Sequence, residues 1–198
     1  MRIRVTRVPV RGRPPTSVHV VDELTRLAHA ARNGDDDAIR AFVSGSQRDV
    51  WRLCAHLVDR DAASDLAQET YLRAIPALRR FRGDATARTW LFSIARRVCA
   101  DELRRRYRRP EDPMNVQADV AVGTDFAAHA DLLAVVDMLE PGRRAAFVLT
   151  QLFGCSYEET AAITGTPIGT VRSRVARARD DLIDWTNADH QRARRLAD

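Results

Sequence analysis

Two arginines near the carboxyl end of the chain, Arg172 and Arg177, are separated by small residues at helical spacing. At about 100° per residue they share one helix face with Gly169, Ser173 and Ala176. Small neighbours let such a helix lie close to a partner while the guanidinium groups reach further, and Arg is the most common bidentate reader of guanine in the DNA major groove. The pattern favours a DNA-binding helix; the alternative is a basic surface helix that contacts only solvent.

The flanking residues predict a helix-turn-helix around this face. Ser156 and Glu159 fit a capping box that opens a first helix, and Gly165 would end it. Thr166 would cap the second helix, with Pro167 in the first helical position. The second helix would bury an apolar stripe formed by Ile168, Val171, Val175, Ala178 and Leu182. In helix-turn-helix proteins the second helix reads the major groove, which agrees with the arginine face.

A second group of arginines lies on a helix predicted over residues 87–107. Its outer face is expected to carry Thr89, Ser93, Arg96, Arg97, Ala100 and Arg104. The loop before it contains Phe81, Arg82, Gly83, Asp84 and Thr86. A polar loop with an aromatic residue beside a basic helix can hold an unstacked base. The alternative is that these arginines, continued by the run over residues 104–109, serve only solubility.

A helix predicted over residues 61–78 has two different sides. One side is apolar and is assigned to the core: Leu66, Ala67, Thr70, Tyr71, Ala74, Ile75 and Leu78. The other side carries Asp65, Gln68, Glu69, Leu72 and Arg73. A leucine within a largely acidic face suggests a protein partner. An ordinary solvated face is the alternative, and the pattern alone leaves both open.

Composition limits the possible functions. The 198 residues carry a net charge of +5, and every basic residue is arginine, which favours a polyanionic partner. No apolar run approaches the roughly 18 residues of a membrane span, so no membrane insertion is expected. Because no secretory signal is visible either, we expect a cytoplasmic protein.

Cys54, Cys99 and Cys155 are too scattered for a disulfide framework or a zinc site, and we expect them to be small buried residues. No catalytic motif is present, so we expect no enzyme activity, cofactor or metal.

The periodicity is helical wherever it is regular, which predicts an all-α fold of two small helical domains joined by a flexible linker. Residues 1–19 are expected to form a disordered basic arm, and residues 20–109 the first domain. Residues 110–126 contain two prolines and acidic residues, and are expected to be the linker. Residues 127–186 would form the second domain with the helix-turn-helix, and residues 187–198 a polar tail.

Residues 65–106, DLAQETYLRAIPALRRFRGDATARTWLFSIARRVCADELRRR, resemble conserved region two of extracytoplasmic-function (ECF) sigma factors of the sigma-70 family. The family pattern is roughly D-L-x-Q-E-x-F-L-R-A, then F-R-G-x-A, then T-W-L-x-x-I-A. Residues 139–183 are similar to region four. Region four alone also resembles response-regulator output domains, but the two motifs in this order are specific. In detail the chain resembles the actinobacterial sigma factor C group.

The resemblance implies a dissociable subunit of RNA polymerase that directs core polymerase to promoters and is not itself an enzyme. The residues implied to dock on the clamp coiled coil of the largest polymerase subunit are Asp65, Gln68, Glu69, Leu72 and Arg73. Those implied to contact the melted −10 element are Arg82, Gly83, Asp84, Thr86, Ser93, Arg96, Arg97 and Arg104. Those implied to read the duplex −35 element are Thr170, Arg172, Ser173, Ala176 and Arg177.

One residue departs from the family pattern. Arg97 stands where many relatives have asparagine after I-A-x, so the base preferred at the −10 element stays open. A helix-turn-helix regulator that binds duplex DNA without polymerase is the alternative function. An anti-sigma factor is left open as a further partner, and the sequence identifies neither the target promoters nor the inducing signal.

Overall fold

The computed structural model describes residues 22–108 and 136–197, with side chains described as far as Trp185, and within these ranges it contains helices and no strand. The prediction of an all-α fold is therefore confirmed. The predicted arm and linker lie outside the described residues. The helices are α1 (Glu23–Arg32), α2 (Asp36–Leu57), α3 (Ala63–Leu78), α4 (Ala87–Arg108), α5 (Pro141–Phe147), α6 (Tyr157–Thr164) and α7 (Ile168–Ala197), with a π-helical turn (Val148–Leu152) after α5.

Helices α1 to α4 form a bundle in which α2 contacts each of the other three. Its largest fully buried side chains are Phe42, Leu53, Leu78, Leu91 and Phe92. The predicted inner side of α3 faces this core, with Tyr71 and Ile75 half-buried and the other five residues buried. The Tyr71 hydroxyl lies 2.8 Å from the Ser46 hydroxyl, and burial raises the pKa of Tyr71 to about 12.

The first turn of α4 differs from the prediction. Thr89 is buried, although its spacing placed it on the outer face. The reason is that this turn packs on α1, where the Ala87 N–H donates to the Thr25 hydroxyl at 2.8 Å. Thr86 caps the helix, because its hydroxyl accepts the Thr89 N–H at 3.2 Å. The loop before α4 is thus fixed at its carboxyl end.

The segment after Pro141 also differs from the prediction. The apolar pattern predicts a single helix over residues 143–153, stopped by Gly154, whereas in the structure Glu140 caps α5 through the Gly142 and Arg143 N–H groups. The α-helical pattern then ends at Phe147. The following π turn closes with the Phe153 N–H donating to the Val148 carbonyl at 3.1 Å. Gly154 has φ of 66° and ends the turn, a backbone conformation that glycine adopts without strain.

The helix-turn-helix is formed by α6 and α7. The predicted capping box is confirmed, with the Glu159 N–H donating to the Ser156 hydroxyl at 3.0 Å and the Ser156 N–H to the Glu159 carboxylate at 2.7 Å. Gly165, with φ of 65°, ends α6 as expected. The predicted stripe of α7 is buried at Val171, Val175, Ala178 and Leu182 but is 37% exposed at Ile168.

The amino-terminal end of α7 differs from the prediction. The Pro167 carbonyl accepts the first helical hydrogen bond, from the Val171 N–H, so this proline precedes the helix. The Thr166 hydroxyl bonds to the Thr164 hydroxyl at 2.9 Å, and no cap of α7 by Thr166 is seen in the described region. At the other end the helical backbone continues through Ala197, beyond the start of the predicted tail.

Replacing Ser156, the amino-terminal cap of α6, tests the capping-box assignment. Ser156→Ala removes one hydrogen bond of the capping box and should lower the free energy of unfolding by about 1 kcal/mol. Ser44→Ala is the control, because Ser44 is exposed within α2. Urea unfolding of both variants measures the difference, and equal losses for the two would contradict the capping assignment.

Candidate nucleic-acid and protein interfaces

The predicted reading face of α7 is accessible. Arg172, Ser173, Ala176 and Arg177 are exposed, and Thr170 is half-buried. The Arg172 guanidinium lies 5.9 Å from the ring centroid of Tyr157 in α6. Neither Arg172 nor Arg177 pairs with a carboxylate in the part of the chain that the structure describes. The two guanidinium groups are therefore available to an anionic partner.

Some of the residues predicted to contact the −10 element lie together in one cleft of about 320 Å³, beside the amino-terminal half of α4. Of the predicted residues, Arg82, Gly83, Asp84 and Ser93 line it. Trp90 lines it as well, and so does Ala162 from α6. Thr86 caps α4 instead, and Arg96, Arg97 and Arg104 lie further along the helix.

Phe81, the aromatic residue of the loop before α4, packs against other rings and does not face solvent. Phe81 is only 3% exposed and packs against His29, at 5.1 Å between ring centroids, and Trp90, at 5.4 Å. The Phe81 ring therefore offers no open stacking surface to a base. The half-buried Trp90 ring is the aromatic surface that reaches the cleft.

Gly83 has φ of 80°, and a Cβ there would lie 2.9 Å from His29, so both backbone conformation and space require glycine.

Sequence reasoning did not identify His29 as part of this site. It comes from α1, more than 50 positions before the loop that it supports, and no local pattern connects the two.

The arginine run at the end of α4 is largely neutralised by neighbouring carboxylates. Arg104 pairs with Asp101, Arg105 with Glu102 at 2.7 Å, and Arg106 with both Glu102 at 2.7 Å and Asp59 at 2.5 Å. These partners are three or four residues apart except for Asp59. The run therefore offers less positive charge to a partner than its sequence suggests.

Arg96 and Arg97 have no carboxylate partner among the described residues. Burial lowers the pKa of the Arg96 guanidinium, and the positive charges of Arg174, Arg104 and Arg97 lower it further. The available charge of α4 is thus concentrated in its middle, close to the cleft.

The residues predicted to bind a protein form the α3 surface: Asp65, Gln68, Glu69, Leu72 and Arg73. Leu72 is 62% exposed, although leucine normally lies in the core. Arg73 pairs with Glu69 at 2.7 Å and with Asp101 of α4 at 3.0 Å. These carboxylates raise the pKa of Arg73, and Arg73 and Arg104 together lower the pKa of Asp101. Asp101 thereby connects the α3 surface to α4.

Comparison with known proteins decides the family. Residues 42–109 match the family model of Sigma-70 region 2, and residues 129–182 that of Sigma-70, region 4. The ECF RNA polymerase sigma factor SigC of Mycobacterium tuberculosis is 45% identical over 167 residues, which cover 82% of this chain and 90% of that protein. The chain belongs to the ECF sigma factors of the sigma-70 family. It is an RNA polymerase sigma factor, which binds core polymerase and directs promoter-specific initiation of transcription.

Solved structures agree with this fold. CnrH, in complex with the cytosolic domain of CnrY, aligns with a TM-score of 0.67 at 25% identity, covering 84% of this sigma factor and 99% of CnrH. RpoE of Bartonella quintana, in complex with the anti-sigma factor NepR, gives 0.66 at 28% identity, covering 76% and 97%. Within the described residues, no helix is long and apolar enough to cross a membrane.

The charge distribution on α4 gives a prediction for nonspecific binding to single-stranded DNA. Arg97→Ala should reduce the slope of log affinity against log salt concentration by about 0.7, because an available arginine releases counterions when it meets a phosphate of a single strand. Arg105→Ala should change the slope much less, since Glu102 already partners Arg105. Titrations of the free sigma factor at several salt concentrations measure both slopes, and equal reductions would contradict the assignment.

Proposed function

We propose that the α3 surface binds the clamp coiled coil of the largest polymerase subunit. An exposed leucine surrounded by polar and charged side chains supports this, because burying a leucine at an interface contributes about 1.5–3 kcal/mol. Asp65 and Gln68 are exposed beside it and can supply polar contacts at the rim. The ion pairs of Arg73 are solvent-exposed and contribute little stability. They can therefore be replaced by contacts with a partner at a small cost in free energy.

We propose that the cleft beside α4 holds an unstacked base of the melted −10 element. The half-buried Trp90 ring offers an apolar surface for the base, and Ser93 offers a hydroxyl. Base–aromatic stacking contributes roughly 1–3 kcal/mol in single-stranded DNA binding. Arg96 would contact the phosphate next to that base, and Arg97, where many relatives have asparagine, would lie beside the base itself. Neither arginine is neutralised by a carboxylate among the described residues.

We propose that α7 reads the −35 element in the major groove. Arg172 and Arg177 would donate to base edges, and each good bidentate contact contributes roughly 1–3 kcal/mol of discrimination. Ser173 and Ala176 place small side chains between the two arginines, so the helix can lie close to the DNA. Thr170 lies near the start of the helix. The observation that most supports the function as a whole is the presence of both sigma-70 regions in one chain.

In this proposal the polymerase performs the chemistry in the cytoplasm, and the sigma factor supplies only recognition. The complex of RpoE with the anti-sigma factor NepR supports an anti-sigma factor as a further partner of this chain.

Charge reversal on the α3 surface tests the proposed docking. Asp65→Arg should abolish capture of core polymerase in a pulldown, because Asp65 is exposed and its replacement leaves the apolar side of α3 intact. Asp180→Arg, an exposed carboxylate of α7, is the control and should retain capture. Circular dichroism of both variants checks that the fold is unchanged. Undiminished capture by folded Asp65→Arg would remove the assignment.

A further inference from the structure

One face of α1 lies against the loop over residues 81–86, which we call the cleft loop because it borders the proposed −10 cleft. The face carries Thr25, His29 and Arg32, which are four and three positions apart and therefore lie on the same side of the helix. Helix α1 ends before residue 42, where the match to Sigma-70 region 2 begins. That match therefore assigns no role to this face.

Thr25 fixes the carboxyl end of the cleft loop. Its hydroxyl accepts the Ala87 N–H at 2.8 Å, and both residues are buried. Ala87 is the first residue of α4, where an N–H has no carbonyl partner within its own helix. The hydrogen bond from α1 therefore sets the point at which the loop ends and α4 begins.

His29 and Arg32 fix the amino end of the same loop. The His29 imidazole packs on the Phe81 ring at 5.1 Å between centroids, and the Arg32 guanidinium donates to the Phe81 carbonyl at 3.3 Å. Phe81 also lies edge-on to Trp90, at 5.4 Å. The contacts of α1 therefore extend through Phe81 to the ring on which we place the unstacked base.

Between its two ends the cleft loop rests on His29. Residues 82–86 are exposed, and no hydrogen bond of residues 82–85 is found within the described part of the chain. A Cβ on Gly83 would lie 2.9 Å from the imidazole Nε2, so the backbone of Gly83 sits directly on the His29 ring. The imidazole therefore determines how closely this part of the loop approaches α1.

Two of these three side chains are not part of the core. His29 and Arg32 are exposed, whereas α1 buries Ala28 and Ala31 against the bundle. Within the described residues, the ring contact of His29 and the hydrogen bond of Arg32 are both made to the cleft loop. Replacing either side chain should therefore affect the loop far more than the stability of the bundle.

We propose that α1 is a positioning element for base selection at the −10 element. Thr25, His29 and Arg32 hold the cleft loop in the conformation that admits the unstacked base. None of the described residues that line the cleft comes from α1, so these side chains act through the loop and not by touching the base. A loop that is already ordered loses less freedom when the base enters, which increases both affinity and discrimination. The inference rests on the proposed role of the cleft.

His29→Ala tests this role in transcription with core polymerase, on promoter libraries randomised separately at the −10 and −35 elements. Promoters without the preferred −10 base gain nothing from the cleft, so only the preferred sequences should lose activity. If the freed loop takes the binding conformation in about one-tenth of the molecules, preference for those sequences should fall about tenfold. Preference at the −35 element and capture of core polymerase should be unchanged, because α7 and the α3 surface are intact.

Three further variants of α1 support the comparison. Arg32→Ala removes the hydrogen bond to the loop and should reduce the −10 preference in the same way. Thr25→Ser keeps the hydroxyl that accepts the Ala87 N–H and should retain the −10 preference. The control is Arg26→Ala, which removes an exposed arginine that pairs with Glu23 and should change neither preference. Circular dichroism and thermal unfolding check that each variant is folded.

Unchanged −10 preference in folded His29→Ala would overturn the positioning role, and so would an equal loss of preference at both elements or a uniform loss on all promoters. Arg32→Ala decides by the same criteria if His29→Ala does not fold. Absence of any −10 preference with the wild-type protein would instead overturn the proposed role of the cleft, and the inference with it.

Discussion

The burial of one side of α4 is the constraint on which the rest of the structure depends. Leu91, Ala95 and Val98 are almost completely buried against the bundle, so the orientation of the opposite side is fixed. The helix begins with the Thr86 cap, which also sets the end of the cleft loop. Arg88 and Asp101 then connect the same helix to the second domain and to α3. One packed helix therefore connects the proposed −10 cleft, the α3 surface and the second domain.

The positive charge that this protein presents to a partner depends more on which arginines pair with carboxylates than on the net charge. The exposed ion pairs of Arg73, Arg104 and Arg105 contribute little stability individually, because such pairs are typically worth less than about 1 kcal/mol. Their main effect is to lower the positive charge along most of α4. Arg96, Arg97, Arg172 and Arg177 keep their charge available, and all four lie on the faces proposed to contact DNA.

Local sequence signals predicted the helices that correspond to α3 and α4 and the capping box of Ser156 and Glu159 that opens α6. Asp22 and Asp35 cap α1 and α2 by equally local contacts, because a cap needs only residues a few positions apart. The pairing of Arg104 with Asp101 and of Arg106 with Glu102 could also have been predicted from their spacing of three and four residues.

The features that the sequence did not predict depend on distant contacts. Phe81 is buried because His29 and Trp90 cover it, and Thr89 is buried because α1 lies against the start of α4. The position of Phe153 depends on the π turn and on the other domain. Periodicity places a residue on a face but does not show which distant element covers that face.

We propose that two separate surfaces of this sigma factor read the two promoter elements only within the polymerase. Run-off transcription on a randomised promoter library, with core polymerase and the wild-type, Arg172→Ala or Arg97→Asn protein, tests it most directly. We expect core polymerase with the wild-type protein to select promoters with two conserved elements. Arg172→Ala should relax only the −35 element, and Arg97→Asn should shift only the −10 element. Loss of preference at the same element in both variants, or no dependence of initiation on this protein, would contradict the account.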